Sequence, residues 1–234
     1  MKLAIRCPLC QADPWTWVFV EPTNEGRYQA TCPSGHTFDA SVACCDFQML
    51  FEIGTNALYD GYYREAIGSF TASYERFLEF FIRIVYDATG DNEETFDKTW
   101  KNVSQQSERQ LGAYVFAFYS LYNVPPDLLP RKMVEFRNAV IHKGKIPTRG
   151  EAIQFGESVI NIVLPVLRNL FDTHQYAVVA AATANVDAKD PPSLTYYPYM
   201  TLPTNRKPDE KTPSMEQLLE GIAAGRKSTR RGSE

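Results

Sequence analysis

Several things are missing from this chain, and each absence removes a class of function. No apolar run approaches the length needed to cross a bilayer, and the opening residues reach Cys7 too early to form a signal peptide. A soluble, cytoplasmic protein with no membrane partner is expected. Positive charge is not in excess either: 24 Lys and Arg face 28 Asp and Glu, a formal net charge of −4. That balance argues against a surface coated for non-specific nucleic-acid binding, while leaving room for a local cationic cleft. There is no glycine-rich phosphate loop, no nucleophile elbow and no carboxylate cluster suited to Mg²⁺. Histidine is scarce, at three residues, so any acid–base chemistry must be traced to very few positions.

What is present is enough for one good core and a small appended module. The chain has 234 residues, 44% of them hydrophobic and 13% aromatic. It carries five cysteines, two of them in Cys7-Pro8-Leu9-Cys10, a spacing that points to a metal rather than to disulfides in a cytosolic protein. A second knuckle, Cys32-Pro33-Ser34-Gly35-His36, follows. Between them, residues 15–20 and 28–31 have strand propensity on either side of a turn at 22–27, which predicts a hairpin. Residues 1–42 therefore read as a zinc ribbon, with Cys7, Cys10, Cys32 and His36 as the four ligands of a structural Zn²⁺. A module this small needs the metal to fold. Reduced thiols, or a site completed by Cys44 or Cys45 in place of His36, are the alternatives. Four protein ligands leave no open position, so no catalytic metal is expected.

Residues 45–184 read as helical throughout, which makes the chain mainly α. Apolar residues recur at helical spacing over 45–60 and most strongly over 62–88, where Ala66, Ile67, Phe70, Tyr74, Phe77, Phe81, Ile84 and Val85 make a very wide face. Such a face must be covered on more than one side, by other helices or by a second subunit. Glu75 and Glu79 of this helix are candidates to approach the later motif, with Glu79–Arg83 the expected i,i+4 pair. A turn at 88–92, a short helix at 93–103 and a core helix at 107–123 follow. Thr148 and Glu151 then form a capping box for a last long helix that runs to about residue 182, with a kink expected at Pro165. His174, within it, is read as a histidine without a task. Six prolines between 187 and 214 mark residues 185–234 as a tail largely without a core. Residues 214–224 carry the pattern of a short amphipathic helix that would dock on this chain or a partner.

One further helix, expected between Pro130 and Gly144, carries a local contradiction. At 100° per residue, Met133, Val134, Phe136, Val140 and Ile141 share one apolar face, and Arg137 falls in its middle. Asn138 and His142 share the opposite side. A buried arginine needs an anionic or hydrogen-bonding partner, unless it snorkels to solvent. Arg137-Asn138-x-x-x-His142, followed by Lys143-Gly144, resembles the Arg-x4-6-His signature of HEPN domains, and residues 58–67 and 74–79 resemble the early helices of that family. The resemblance covers about residues 45–182. It implies an antiparallel helical bundle that dimerises and a metal-independent endoribonuclease that cleaves RNA by 2′-OH attack. Arg137, Asn138 and His142 would be its catalytic residues, and its role that of a toxin or phage-defence effector. Arg137 and His142 lie about 140° apart around the helix, so a homodimer that pools two of each is expected. The rival reading is a non-catalytic HEPN interaction module, with the ribbon or the tail docking a protein partner. Toxins held by a nucleotidyltransferase antitoxin carry a tyrosine two residues after the histidine; here that position is Gly144, which discounts that pairing.

Overall fold

The computed structural model describes residues 3–10, 17–23, 25–87, 93–184, 194–196, 202 and 211–231. Four strands open the chain: β1 (Leu3–Arg6), β2 (Trp17–Val20), β3 (Arg27–Thr31) and β4 (Thr37–Val42). β1 pairs with β2 and β3 pairs with β4, both antiparallel. The expected hairpin of 15–20 with 28–31 is therefore not the pairing observed, and residues 15 and 16 lie outside the described residues. The reason is local. Cys7 and Cys10 start the connection from β1 to β2, and Cys32 to His36 is the turn between β3 and β4. Leu3 and Ile5, then Phe38, Ala40 and Val42, alternate with period two and bury one face with Cys7, Ala30 and Cys32.

Seven helices follow: α1 (Asp46–Tyr59), α2 (Tyr63–Asp87), α3 (Glu93–Trp100), α4 (Ser107–Tyr122), α5 (Arg131–His142), α6 (Arg149–Thr173) and α7 (Gln175–Thr183). The turn expected at 88–92 lies outside the described residues. α2 is the axis of the bundle. Ile67, Phe70, Phe77, Phe81 and Ile84 are all fully buried, packed with Phe47 and Phe51 of α1, Tyr114 of α4 and Phe155 of α6. The wide apolar face of α2 is thus covered by α1, α4, α5, α6 and α7 of the same chain. Glu79 does not pair with Arg83. It takes Arg76 and the Trp100 indole N–H at 3.1 Å, while Arg83 turns to Asp97 at 3.3 Å. The last long helix passes through Pro165 and is interrupted at His174, which caps α7.

Two late segments return to the body. β5 (Leu194–Tyr196) adds to β4 in parallel, and Leu202 is fully buried, its carbonyl accepting from Gln48 Nε2 at 2.6 Å. α8 (Met215–Arg231) is longer than the expected 214–224 and docks on α1 and α6. Met215 fills the space left by Gly156: a Cβ there would lie 3.0 Å from the Met215 sulfur. Arg149 forks onto Glu216 through two 2.8 Å bonds, and Arg226 forks onto Asp60 while stacking on Tyr59. Apolar residues of the expected tail therefore join the core, because a groove of α1 and α6 receives them. The remaining tail residues lie outside those described. No described helix is long and apolar enough to cross a membrane.

Candidate functional site

The two knuckles bring four ligand atoms together. Cys7, Cys10, Cys32 and His36 place them all within 4.8 Å of one another, the one cluster among the described residues able to hold a metal ion. His36 presents Nδ1, at 3.4 Å from Cys10 Sγ, 3.5 Å from Cys32 Sγ and 3.8 Å from Cys7 Sγ, and the Cys10 and Cys32 sulfurs are 3.6 Å apart. A tetrahedral ion with zinc-like bond lengths needs about 3.8 Å between sulfurs and about 3.6 Å from sulfur to nitrogen, so the donor set fits. The extra residue in Cys32-x3-His36 is accommodated by a tight turn. Gly35 sits at φ +82°, its N–H donates to the Cys32 carbonyl at 2.9 Å, and the Cys32 N–H donates to the His36 carbonyl at 3.0 Å. Burial pushes the Cys32 thiol up, but hydrogen bonds with the His36 backbone and with the Cys10 and Cys7 side chains outweigh it, bringing the thiol down to about 6. Cys44 and Cys45 stand outside the cluster. Burial raises Cys44 to about 11 and Cys45 further still, and the Cys45 N–H is taken by Gln48 at the start of α1.

The second candidate is α5. Pro130 precedes it with its backbone already fixed, and Gly144, at φ +72°, turns the chain away at its end. Met133 and Val140 are buried and Phe136 and Ile141 half-buried against the core, with Phe136 6.2 Å from the Phe155 ring. Arg137, on the same face, is half-buried. One Nη nitrogen is 3.9 Å from Glu75 Oε1 of α2, so a carboxylate meets the charge that the sequence left on an apolar stripe. That distance is longer than a hydrogen bond, and the fork makes none among the described residues. Asn138 is half-buried and His142 is exposed in the last turn.

Charge is concentrated here. Residues 131–149 hold Arg131, Lys132, Arg137, Lys143, Lys145 and Arg149 against one acid, Glu135, six minus one, or +5, in a chain of net charge −4. Sequence reading missed this concentration; a windowed charge count reveals it. Arg131 pairs with Glu135, Lys145 with Glu151 and Arg149 with Glu216, whereas Lys132 and Lys143 form no ion pair among the described residues. Large exposed apolar side chains lie on α4 and the segment after it: Phe116 (73% exposed), Tyr119, Val124 and Leu128. No family model, curated protein or solved structure matches the chain.

Proposed function

We propose that the chain is a metal-independent endoribonuclease of HEPN type, stabilised by a zinc ribbon and working as a homodimer. The observation that carries this reading is the pairing of an uncommitted Arg137 fork, held beside Glu75, with an exposed His142 at the end of the same helix. Lys132 and Lys143, without an ion pair among the described residues, add positive charge beside them in an acidic protein. One histidine removes the proton from a ribose 2′-OH, which attacks the adjacent phosphorus. A second returns a proton to the departing 5′-oxygen. Arg137 forks onto the phosphate and stabilises the charge that grows there. Asn138 orients a phosphate oxygen or the hydroxyl. The products are a 2′,3′-cyclic phosphate and a free 5′-hydroxyl.

Two histidines at one phosphate require two chains, because Arg137 and His142 of one helix are about 140° apart. The apolar face of α2, packed against five helices of its own chain, does not close such a dimer in this reading. The exposed Phe116, Tyr119, Val124 and Leu128 do, in a segment that leads directly into α5. In the ribbon, Cys7, Cys10, Cys32 and His36 hold Zn²⁺, which when bound links the two hairpins and takes no part in cleavage. The role as a toxin or phage-defence effector follows from the HEPN resemblance. Total RNA incubated in EDTA with the wild type and with His142→Ala tests the reading. Cleavage by the wild type alone supports it, and identical behaviour of the two favours an interaction module.

A further inference from the structure

Where α5 faces the start of α6 there is a cleft of about 310 Å³, lined by Lys132, Met133, Phe136, Lys145, Glu151 and Gln154. Its volume is at the lower end of small-ligand sites. Met133 and Phe136 give it apolar walls. Lys145 is held in place twice, with Nζ 2.6 Å from Glu151 Oε1 and 4.7 Å above the Phe136 ring. Lys132 and the Gln154 carboxamide are exposed and make no hydrogen bond among the described residues. Glu151 accepts three hydrogen bonds, from Lys145, the Thr148 N–H and the Thr148 hydroxyl, which leaves about one of its four acceptor sites open. Around α5, Arg137 is about 40° from Met133, so the cleft adjoins the phosphate clamp on one helix.

We infer that this cleft seats the base of the nucleotide beside the scissile phosphate in single-stranded RNA, and that it prefers an amine-bearing base, adenine or cytosine, over uracil. The inference rests on the ribonuclease reading and names the substrate feature that this site selects. The apolar walls take a base that is not stacked in a duplex. Beside the Lys132 ammonium, the open acceptors of the lining are the Gln154 carboxamide oxygen and the remaining Glu151 site, both suited to an exocyclic amine. Lys132, exposed in the lining, takes the next phosphate of the RNA. A uracil carbonyl in the place of that amine faces the Glu151 carboxylate, acceptor against acceptor.

The test uses the full chain and 2′-O-methyl oligonucleotides, whose blocked 2′-oxygen prevents cleavage. Anisotropy titrations with oligoadenylate and oligouridylate across a salt series should show adenylate bound roughly tenfold more tightly. Lys132→Ala should lower the slope of log K against log salt by about 0.7, the value for one phosphate contact on a single strand. Gln154→Ala should remove most of the base preference and leave the salt slope unchanged. Both side chains are exposed, so folding, checked by circular dichroism, should be intact. Equal binding of the two oligonucleotides, absence of binding, or wild-type behaviour of both variants overturns the inference. A wild type that cuts RNA without these effects overturns the subsite alone. One that shows them but never cuts RNA overturns the ribonuclease reading and leaves a base-selective binding cleft.

Discussion

The Arg137 guanidinium on α5 lies 3.9 Å from the Glu75 carboxylate on α2. The carboxylate offsets the cost of a half-buried charge without a hydrogen bond to the fork. The ribonuclease reading makes Glu75 a positioning residue. Both side chains are partly exposed, at 22% and 31%, so solvent screening limits the pair to about 0–1 kcal/mol of stability. Glu75→Gln should leave the melting temperature nearly unchanged while slowing RNA cleavage roughly tenfold, or about 1.4 kcal/mol of barrier. A variant that cuts RNA at the wild-type rate would remove Glu75 from the account.

The ribbon should carry one zinc per chain, measured by metal analysis of protein purified without chelator. Cys32→Ser and His36→Ala should each lose it, and Cys44→Ser should not, because only the first two belong to the four-atom cluster. Metal retained in His36→Ala would move the fourth ligand elsewhere. Stripping the zinc should unfold the two hairpins, seen as loss of near-ultraviolet signal.

The capping box of α6 gives a pH signature. The Lys145 ammonium, and then the Thr148 N–H, hold Glu151 at about 2, below its ordinary 4.5. A carboxyl lowered on folding stabilises above its unfolded value and loses that contribution as pH falls toward the folded one. Glu151→Gln should therefore be less stable than the wild type above about pH 5, and the gap should close between about pH 4.5 and 2. Thr148→Ala, which removes the cap hydroxyl, should cost about 1 kcal/mol at neutral pH. Denaturant titrations at pH 7 and pH 3 check both; a gap that widens in acid contradicts the assignment.

Much of this was legible in the sequence, and the misses share a cause. Helix limits were readable because Pro130, Gly144 and the Thr148–Glu151 box act within a few residues. The four-residue Cys/His cluster was readable from spacing, although the strand pairing around it was not, because the second knuckle is also the turn between β3 and β4 and the first starts the connection from β1 to β2. The Arg137 contradiction was visible, and Glu75 and Glu79 were both legible as residues able to approach it; Glu75 meets the guanidinium, while Glu79 turns to Arg76 and Trp100. What stayed hidden depends on residues far apart in the chain. α2 packs against five helices of its own chain, Arg83 prefers Asp97 to Glu79, and Met215 finds the space above Gly156.

Dimerisation has its own test. Phe116, 73% exposed on α4, contributes little to the folded monomer, so Phe116→Asp should keep the melting temperature of the monomer fold. It should turn a dimer into a monomer by light scattering at micromolar concentration, and cleavage should fall with it. A wild type that is monomeric and still cuts RNA would contradict the shared site.

The most direct test of the central claim is the single-turnover rate of RNA cleavage by wild type and His142→Ala, with EDTA present at a level that leaves the ribbon zinc in place. His142 is exposed and outside the core, so the variant should fold normally. The account predicts products ending in 2′,3′-cyclic phosphate and a rate loss of roughly 10²-fold or more in the variant. Equal rates in the two proteins, or a wild-type reaction abolished by EDTA while the ribbon keeps its zinc, would contradict it.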